Sequence, residues 1–278
     1  AHPRDLMIIN SARQLLGFGL LYTDHLTRIK QTEYSVFNRM ALGWVFRQMY
    51  QNFHVVAVSE SVFNYQQQFK IVSKKKLHLL VSNKVDTNFF VPMEKKRSDV
   101  IRVIYIARLH KVKGHDTLIK AWALLKSNFK CELILVGGGE EEVSLKKAVE
   151  KERCYYPVNF VGSSANILPN LQSAHIAVFP SLIEGLPLSL LEKMSCGLPV
   201  VVSNIPELTS IVRDLDNGLI FETGNAEQLA KKIELLIENP ELRKSLGLKA
   251  RQFVVDNFSA KESKKAYQDI YNKISNQG

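Results

Sequence analysis

The sequence predicts an α/β protein built on parallel sheets and divided into two strand–helix arrays. Three observations carry this expectation. From residue 100 onward, short β-branched runs alternate with helix-sized segments. Those runs are apolar throughout, not at every second residue. A charged, Pro-containing segment, "FFVPMEKKRSDV" at 89–100, separates this regular array from a shorter one before it and reads as an interdomain linker. Strands apolar on both faces belong in a sheet covered by helices on either side, which is the parallel α/β arrangement. A chain of 278 residues is long enough for two ordinary domains.

In the first array "FGLLYTDH" reads as a strand, "SVFNRMALGWVFRQMY" as a helix, and "FHVVAVS" and "LHLLVSN" as strands. In the second, "VIRVIYIARL" is a buried strand. The following "GHDTLIKAWALLK" has helical spacing at Leu118, Trp122 and Leu125. "CELILVGGG" is a strand ending in glycines, followed by the helical "EEVSLKKAVEKE". "VNFVG", "HIAVFPS", "PVVVSN" and "GLIFE" are further strands. Helices are expected near 166–173, 187–196, 206–213 and 226–238, and two more, near 240–256 and 259–275, close the chain. The expected domains are 1–93 and 94–258, with a last helix over 259–278.

Hydrophobic residues make up 46% and charged residues 23%, as in a globular protein with a real core. No apolar run approaches the roughly 18–20 residues of a spanning helix. The first residues, "AHPRDLMIIN", lack the basic-then-apolar order of a secretory signal. Cys131, Cys154 and Cys196 are odd in number and widely spaced without a CxxC, which argues against a disulfide framework and a structural zinc site. A reducing, cytoplasmic setting is expected. Net charge is +10 and uneven: residues 1–99 carry 14 Lys/Arg against 7 Asp/Glu, and residues 100–278 carry 23 against 20. A basic first third suits peripheral contact with an anionic membrane at its inner face, or simply a basic soluble protein. No nucleic-acid-binding motif accompanies it, so nucleic acid is not an expected partner.

The chemistry concentrates in "EGLPLSLLE", residues 184–192. Pro187 suits a first helical position, and Gly197 a left-handed stop, so a helix is expected from about Pro187 to Cys196. Glu184 then lies in a strand-to-helix loop above the carboxyl end of the sheet, where open α/β sheets bind ligands. Gly185 permits close backbone approach, and the free N–H groups at the helix start favour an anion. Glu192 falls roughly 7.5 Å further along the helix axis. Carboxylates so separated are poorly placed to act on one bond, since retaining glycosidase pairs stand about 5–5.5 Å apart. They suit opposite ends of one long ligand with phosphates between them. In "ARLHKVKGHDTLIKA", Arg108 and Lys113 put two cations in another strand-to-helix loop, enough to neutralise a diphosphate without a metal. No metal-ligand spacing is present, and no cofactor is expected beyond a donor substrate.

"IARLHKVKGHDTLIKA", "LVGGG", "FVG" and above all "FPSLIEGLPLSLLEKMSCGLPVVVSNIPELTSIVRDLDNGLIF" resemble the donor-binding half of the family-4 retaining glycosyltransferases, the group 1 glycosyl transferases. The resemblance runs from residue 53 onward. "VVAVSESV" and "VSNKVDTNFFVP" resemble the end of that family's acceptor domain, with Lys84 where glycine is usual. It implies the GT-B fold: two Rossmann-like doubly wound parallel-sheet domains, the last helix returning to the first. With about 90 residues before the linker, an N-terminal domain lacking its first part is expected.

By this resemblance Arg108 and Lys113 grip the donor diphosphate, together with Gly185, Leu186, Pro187 and Leu188. Glu192 holds the ribose, and Glu184 faces the transferred sugar. Gly137 and Gly139 line the nucleotide cleft, with Val161 and Gly162 beside the base. The acidic "EEE" after Gly139 opposes phosphate binding, so "GGGEEE" is not read as a dinucleotide fingerprint. His25, ending "YTDH", resembles the histidine facing the reacting centre; His2 is a weaker candidate for that role. The implied reaction moves a sugar, with retention, from a nucleoside-diphosphate sugar to a glycan or lipid-linked acceptor. A UDP-sugar is the expected donor, although no residue fixes the sugar or base. A non-catalytic nucleotide-binding remnant and a GT-B nucleotide-sugar epimerase stay open as alternatives.

Overall fold

In a computed structural model of the chain, the described residues are 21–24, 54–57, 63–64, 67–68, 72–79, 85–93, 99–184, 187–259, 268–270 and 272. His2, His25, Gly185, Leu186 and the expected helix over 35–50 lie outside them. The chain forms two compact units: Ala1–Asn83 with Lys261–Gly278, and Lys84–Ala260.

The first unit contains β1 (Leu21–Asp24), β2 (His54–Ala57) and β3 (Leu77–Leu79), which pair in parallel in that order. Leu21 pairs with His54 and Val55 with Leu77. The central strand buries Val55 and Ala57.

The second unit holds a six-stranded sheet: β4 (Val100–Ile106), β5 (Lys130–Val136), β6 (Val158–Gly162), β7 (Ile176–Phe179), β8 (Val200–Ser203) and β9 (Leu219–Phe221). Their order is β6-β5-β4-β7-β8-β9, with every pairing parallel. Within this unit that is the 3-2-1-4-5-6 order of a Rossmann-like sheet. Every residue of β7 and β8 is buried, the consequence of apolar runs covered on both faces. At the edge, β6 exposes Asn159 and Val161.

The crossovers are α1 (His115–Leu124), α2 (Glu142–Lys151), α3 (Leu168–Ser173), α4 (Leu188–Ser195) and α5 (Pro206–Thr209), followed by α6 (Ala226–Glu238) and α7 (Pro240–Phe258). Helix α1 packs on α2 and α6, and α7 on α4 and α6. Trp122 of α1 is fully buried, and its indole N–H donates to the Tyr156 carbonyl at 3.0 Å, so its polar atom is satisfied inside the core.

Two elements differ from the spacing-based expectation. The helix expected over 206–213 is one turn, because Asn217 competes for the backbone beyond it. Its Oδ1 accepts from Arg213 N at 2.7 Å, and its Nδ2 donates to the Ile211 carbonyl at 3.0 Å. Residues 85–93 are packed into the second unit. Val85 is in its core, Phe90 O accepts from Ser195 Oγ at 2.6 Å, and Val85 bridges to Ser259. Among the described residues no helix is long and apolar enough to cross a membrane.

Candidate functional site

β4 and β7 are neighbours where the strand order reverses, so successive crossovers leave them in opposite directions and open a crevice outside their carboxyl ends. Beyond β4 the chain passes Ala107 and Arg108 into a 3-10 turn, Lys111–Lys113. Beyond β7 it passes Pro180 and Ser181 to Glu184. Gly114 lets these loops meet. Its φ of 68° is left-handed, and a Cβ there would stand 1.9 Å from the Pro180 carbonyl oxygen. Leu182 N donates to the Val112 carbonyl at 2.8 Å and ties the loops again.

Lys113 and Glu184 come together directly. Lys113 Nζ is 2.7 Å from Glu184 Oε2, with side-chain exposures of 24% and 13%, so water screens the pair only in part. Glu184 Oε1 accepts from Ser181 Oγ at 2.6 Å. The Tyr105 hydroxyl donates to the Lys113 carbonyl at 2.8 Å and lies 3.0 Å from Ser181 Oγ. Burial pushes the Tyr105 phenol far above its ordinary range, so it stays a neutral donor. Against its ring, at 4.8 Å, stands His115, the first residue of α1. Burial first, and the Lys113 cation second, lower the His115 imidazole to about 4, so the ring is neutral near pH 7; its buried Nδ1 has no hydrogen-bond partner.

Arg108 is more exposed. Its Nη2 lies 3.4 Å from Glu140 Oε2, and His110 Nε2 lies 3.4 Å from Glu140 Oε1. The same Arg108 joins Ile106, Ala107, Val136, Gly137, Gly138, Ser163, Ser164 and Ile167 around a cavity of about 380 Å³. Gly137 shapes one wall: its φ is 144°, and a Cβ would stand 2.0 Å from the Ala107 carbonyl oxygen. Of the other glycines expected near a nucleotide, Gly139 packs on Leu109, while Gly162, with the half-exposed Val161, ends β6 just before Ser163.

Pro187 caps the start of α4, and Leu188, 40% exposed, is its first residue. Glu192 lies within this helix, its carboxyl raised chiefly by burial. Next to it Lys193 is fully buried, with Nζ 4.6 Å from the Phe179 ring centroid and donating to the Ser189 carbonyl at 2.9 Å. Among the described residues no group of three or more His, Cys, Asp or Glu is placed to hold a metal.

Motif reading therefore located Arg108, Lys113, Glu184 and Gly137 on one rim. It missed Tyr105, Ser181, Ser163, Ser164 and Lys193, and took Glu140 only as a charge opposed to phosphate. A serine directly after an apolar strand, as in "FPS", was the available signal for Ser181.

Residues 68–253 match the family described as glycosyl transferases group 1. An uncharacterized glycosyltransferase of Haemophilus influenzae is 35% identical over 151 residues, 54% of this chain and 43% of that protein. The N,N'-diacetylbacillosaminyl-diphospho-undecaprenol alpha-1,3-N-acetylgalactosaminyltransferase of Campylobacter jejuni is 31% identical over 175 residues, 62% of this chain and 46% of that protein. The chain thus spans about half the length of the curated relatives it matches. The crystal structure of Alr3699/HepE of Anabaena, in complex with UDP-glucose, matches with a TM-score of 0.77 at 20% identity, covering 99% of this chain and 77% of that one. At that identity the match shows the fold, which is GT-B. With two thirds of its residues inside the family match and the Rossmann-like sheet that carries the motifs, the chain belongs to the group 1 glycosyl transferases.

Proposed function

We propose that the protein transfers a sugar from a nucleoside-diphosphate sugar to a glycan or lipid-linked acceptor, with retention of anomeric configuration, in cell-surface polysaccharide or glycolipid assembly. The observation that carries the proposal is the ion pair of Lys113 with Glu184 at the carboxyl ends of β4 and β7, with Arg108, in the loop after β4, lining the 380 Å³ cavity. The cavity has apolar walls from Ile106, Val136 and Ile167 and hydroxyls from Ser163 and Ser164, which suits a flat base and a ribose. Arg108 and Lys113 then balance the charge that develops on the departing diphosphate, aided by the α4 N-terminus. With two cations in that role the mechanism needs no metal. Glu184 faces the transferred sugar, and the acceptor hydroxyl attacks on the face the diphosphate leaves. Glu192 holds the ribose and His25 borders the reacting centre, by resemblance to the family. Anabaena Alr3699/HepE binds UDP-glucose, and the Campylobacter jejuni relative acts on a lipid-linked sugar, which supports a UDP-sugar donor and an acceptor of that class here. A cytoplasmic location, resting on three widely spaced cysteines without a CxxC, and peripheral contact with an anionic membrane, resting on the basic first 99 residues, belong to the same proposal.

A thermal-shift screen with UDP-, GDP- and dTDP-sugars tests the donor, because a ligand that binds only the folded state raises its stability. One series should stand out. Arg108→Ala and Lys113→Ala should each weaken that ligand by about 10–100-fold, as expected for loss of one charge-assisted contact, and slow transfer by about 10²–10³-fold. Unchanged binding in both variants would refute the assignment.

A further inference from the structure

Tyr105, Ser181, Glu184 and Lys113 close a ring. Ser181 Oγ donates to Glu184 Oε1 at 2.6 Å, and Lys113 Nζ donates to Glu184 Oε2 at 2.7 Å. Tyr105 donates to the Lys113 carbonyl at 2.8 Å, and its oxygen lies 3.0 Å from Ser181 Oγ. The four residues come from three places: the end of β4, the 3-10 turn after it, and the loop after β7. Ser181 is fully buried and Tyr105 is 1% exposed. Buried hydroxyls are costly unless paired. Packing alone would be served as well by Ala and Phe at these positions, yet here both hydroxyls engage the two loops that present Glu184 and Lys113. Ser181 is itself held in place, because its carbonyl accepts from the fully buried Ser203 Oγ at 2.5 Å.

We infer that Ser181 and Tyr105 are positioning residues for the donor site: Ser181 orients the Glu184 carboxylate toward the transferred sugar, and Tyr105 fixes the Lys113 turn against that same loop. The inference rests on the donor-site reading above. The two residues act through different partners, so their loss leaves different signatures. Ser181 Oγ donates directly to the group assigned to the sugar and has no bond to Lys113. Tyr105 holds the backbone of the group assigned to the diphosphate and reaches Glu184 only through Ser181.

Calorimetric titration of the full 278-residue chain with UDP and with UDP-glucose separates them. Ser181→Ala should weaken UDP-glucose about tenfold more than it weakens UDP. Tyr105→Phe should weaken both, by about three- to tenfold. In a Glu184→Ala background, Ser181→Ala should add less than about a twofold change, since its partner is gone. A merely structural role would lower the melting temperature and weaken both ligands alike in every background, and that result would overturn the inference. So would Ser181→Ala binding that matches the wild type, or a Ser181→Ala effect that adds in full to that of Glu184→Ala. If Glu184→Ala leaves the ratio of UDP-glucose to UDP affinity at its wild-type value, the donor-site reading itself fails and takes the positioning role with it. Tyr105→Phe keeps the ring and its packing, so it tests the network even if the Ser181 substitution perturbs folding.

Discussion

Lys193 is fully buried between its own helix and the Phe179 ring, with one carbonyl as its acceptor. Burial lowers its ammonium to about 7, against the pull of Glu192, Glu184 and Cys196. In the unfolded chain a lysine keeps its proton to about pH 10.4. Below pH 7 both states are protonated and the folded state bears the whole cost of a buried charge. As pH rises from about 7 to 10 only the unfolded chain keeps the proton, so stability rises with pH across that window. Lys193→Met should therefore be more stable than the wild type at pH 6, by about 1–3 kcal/mol. The gap should close toward pH 10, as read from urea midpoints at each pH. Glu140 offers a second test. Its own backbone N–H first, and then the neighbouring Arg108 guanidinium and His110 side chain, hold its carboxyl below the ordinary range. It occupies the cation assigned to the diphosphate, so Glu140→Gln should tighten UDP about two- to fivefold at low salt, the size of an exposed ion pair. By about 1 M salt, where screening acts within a few ångströms, the difference should vanish.

Among the elements, the 3-10 turn and α1 are joined through Gly114, and that joint presses on the residue following β7. Gly114→Ala asks for a left-handed backbone that Ala disfavours and for space the Pro180 carbonyl already fills. It should cost about 1–3 kcal/mol in stability and, by moving Lys113 off Glu184, weaken UDP as well. Denaturant unfolding and calorimetry on the same variant check both. The α5 region shows the limit of periodicity at this scale. Leu208, Ile211 and Val212 are all buried and have helical spacing, yet Asn217 closes a loop beyond the first turn.

At the scale of the molecule, the second unit has a sheet of its own and a main core whose buried residues run from Val85 to Phe258, with a smaller cluster around Leu109, Ile119 and Leu145. Its two ends meet: Val85 N donates to the Phe258 carbonyl at 3.1 Å, and Val85 bridges to Ser259. Residues 84–260 expressed alone should therefore unfold in one cooperative transition and bind UDP within about threefold of the whole chain. A single sheet and the closure of the unit's two ends on each other argue for one cooperative unit, although it exceeds the size at which two-state unfolding is usual. A fragment that aggregates, or folds without binding UDP, would show that the nucleotide site depends on more than this unit.

Sequence alone determined the alternation of strand and helix, the parallel character of the sheet, and the family. These are written in local signals: apolar runs without alternation, Pro and Gly at helix ends, and the long motif around Glu184. It also placed Arg108, Lys113 and Glu184 on one rim, because strand ends followed by loops define that rim in any doubly wound sheet. Tertiary structure decided which of these groups touch. That Lys113 is paired to Glu184, 71 positions away, and that Tyr105 and Ser181 tie them together, follows from β4 lying beside β7. Strand order and register are set by the global packing of the core, and no local pattern encodes the partner that a side chain finds across a sheet.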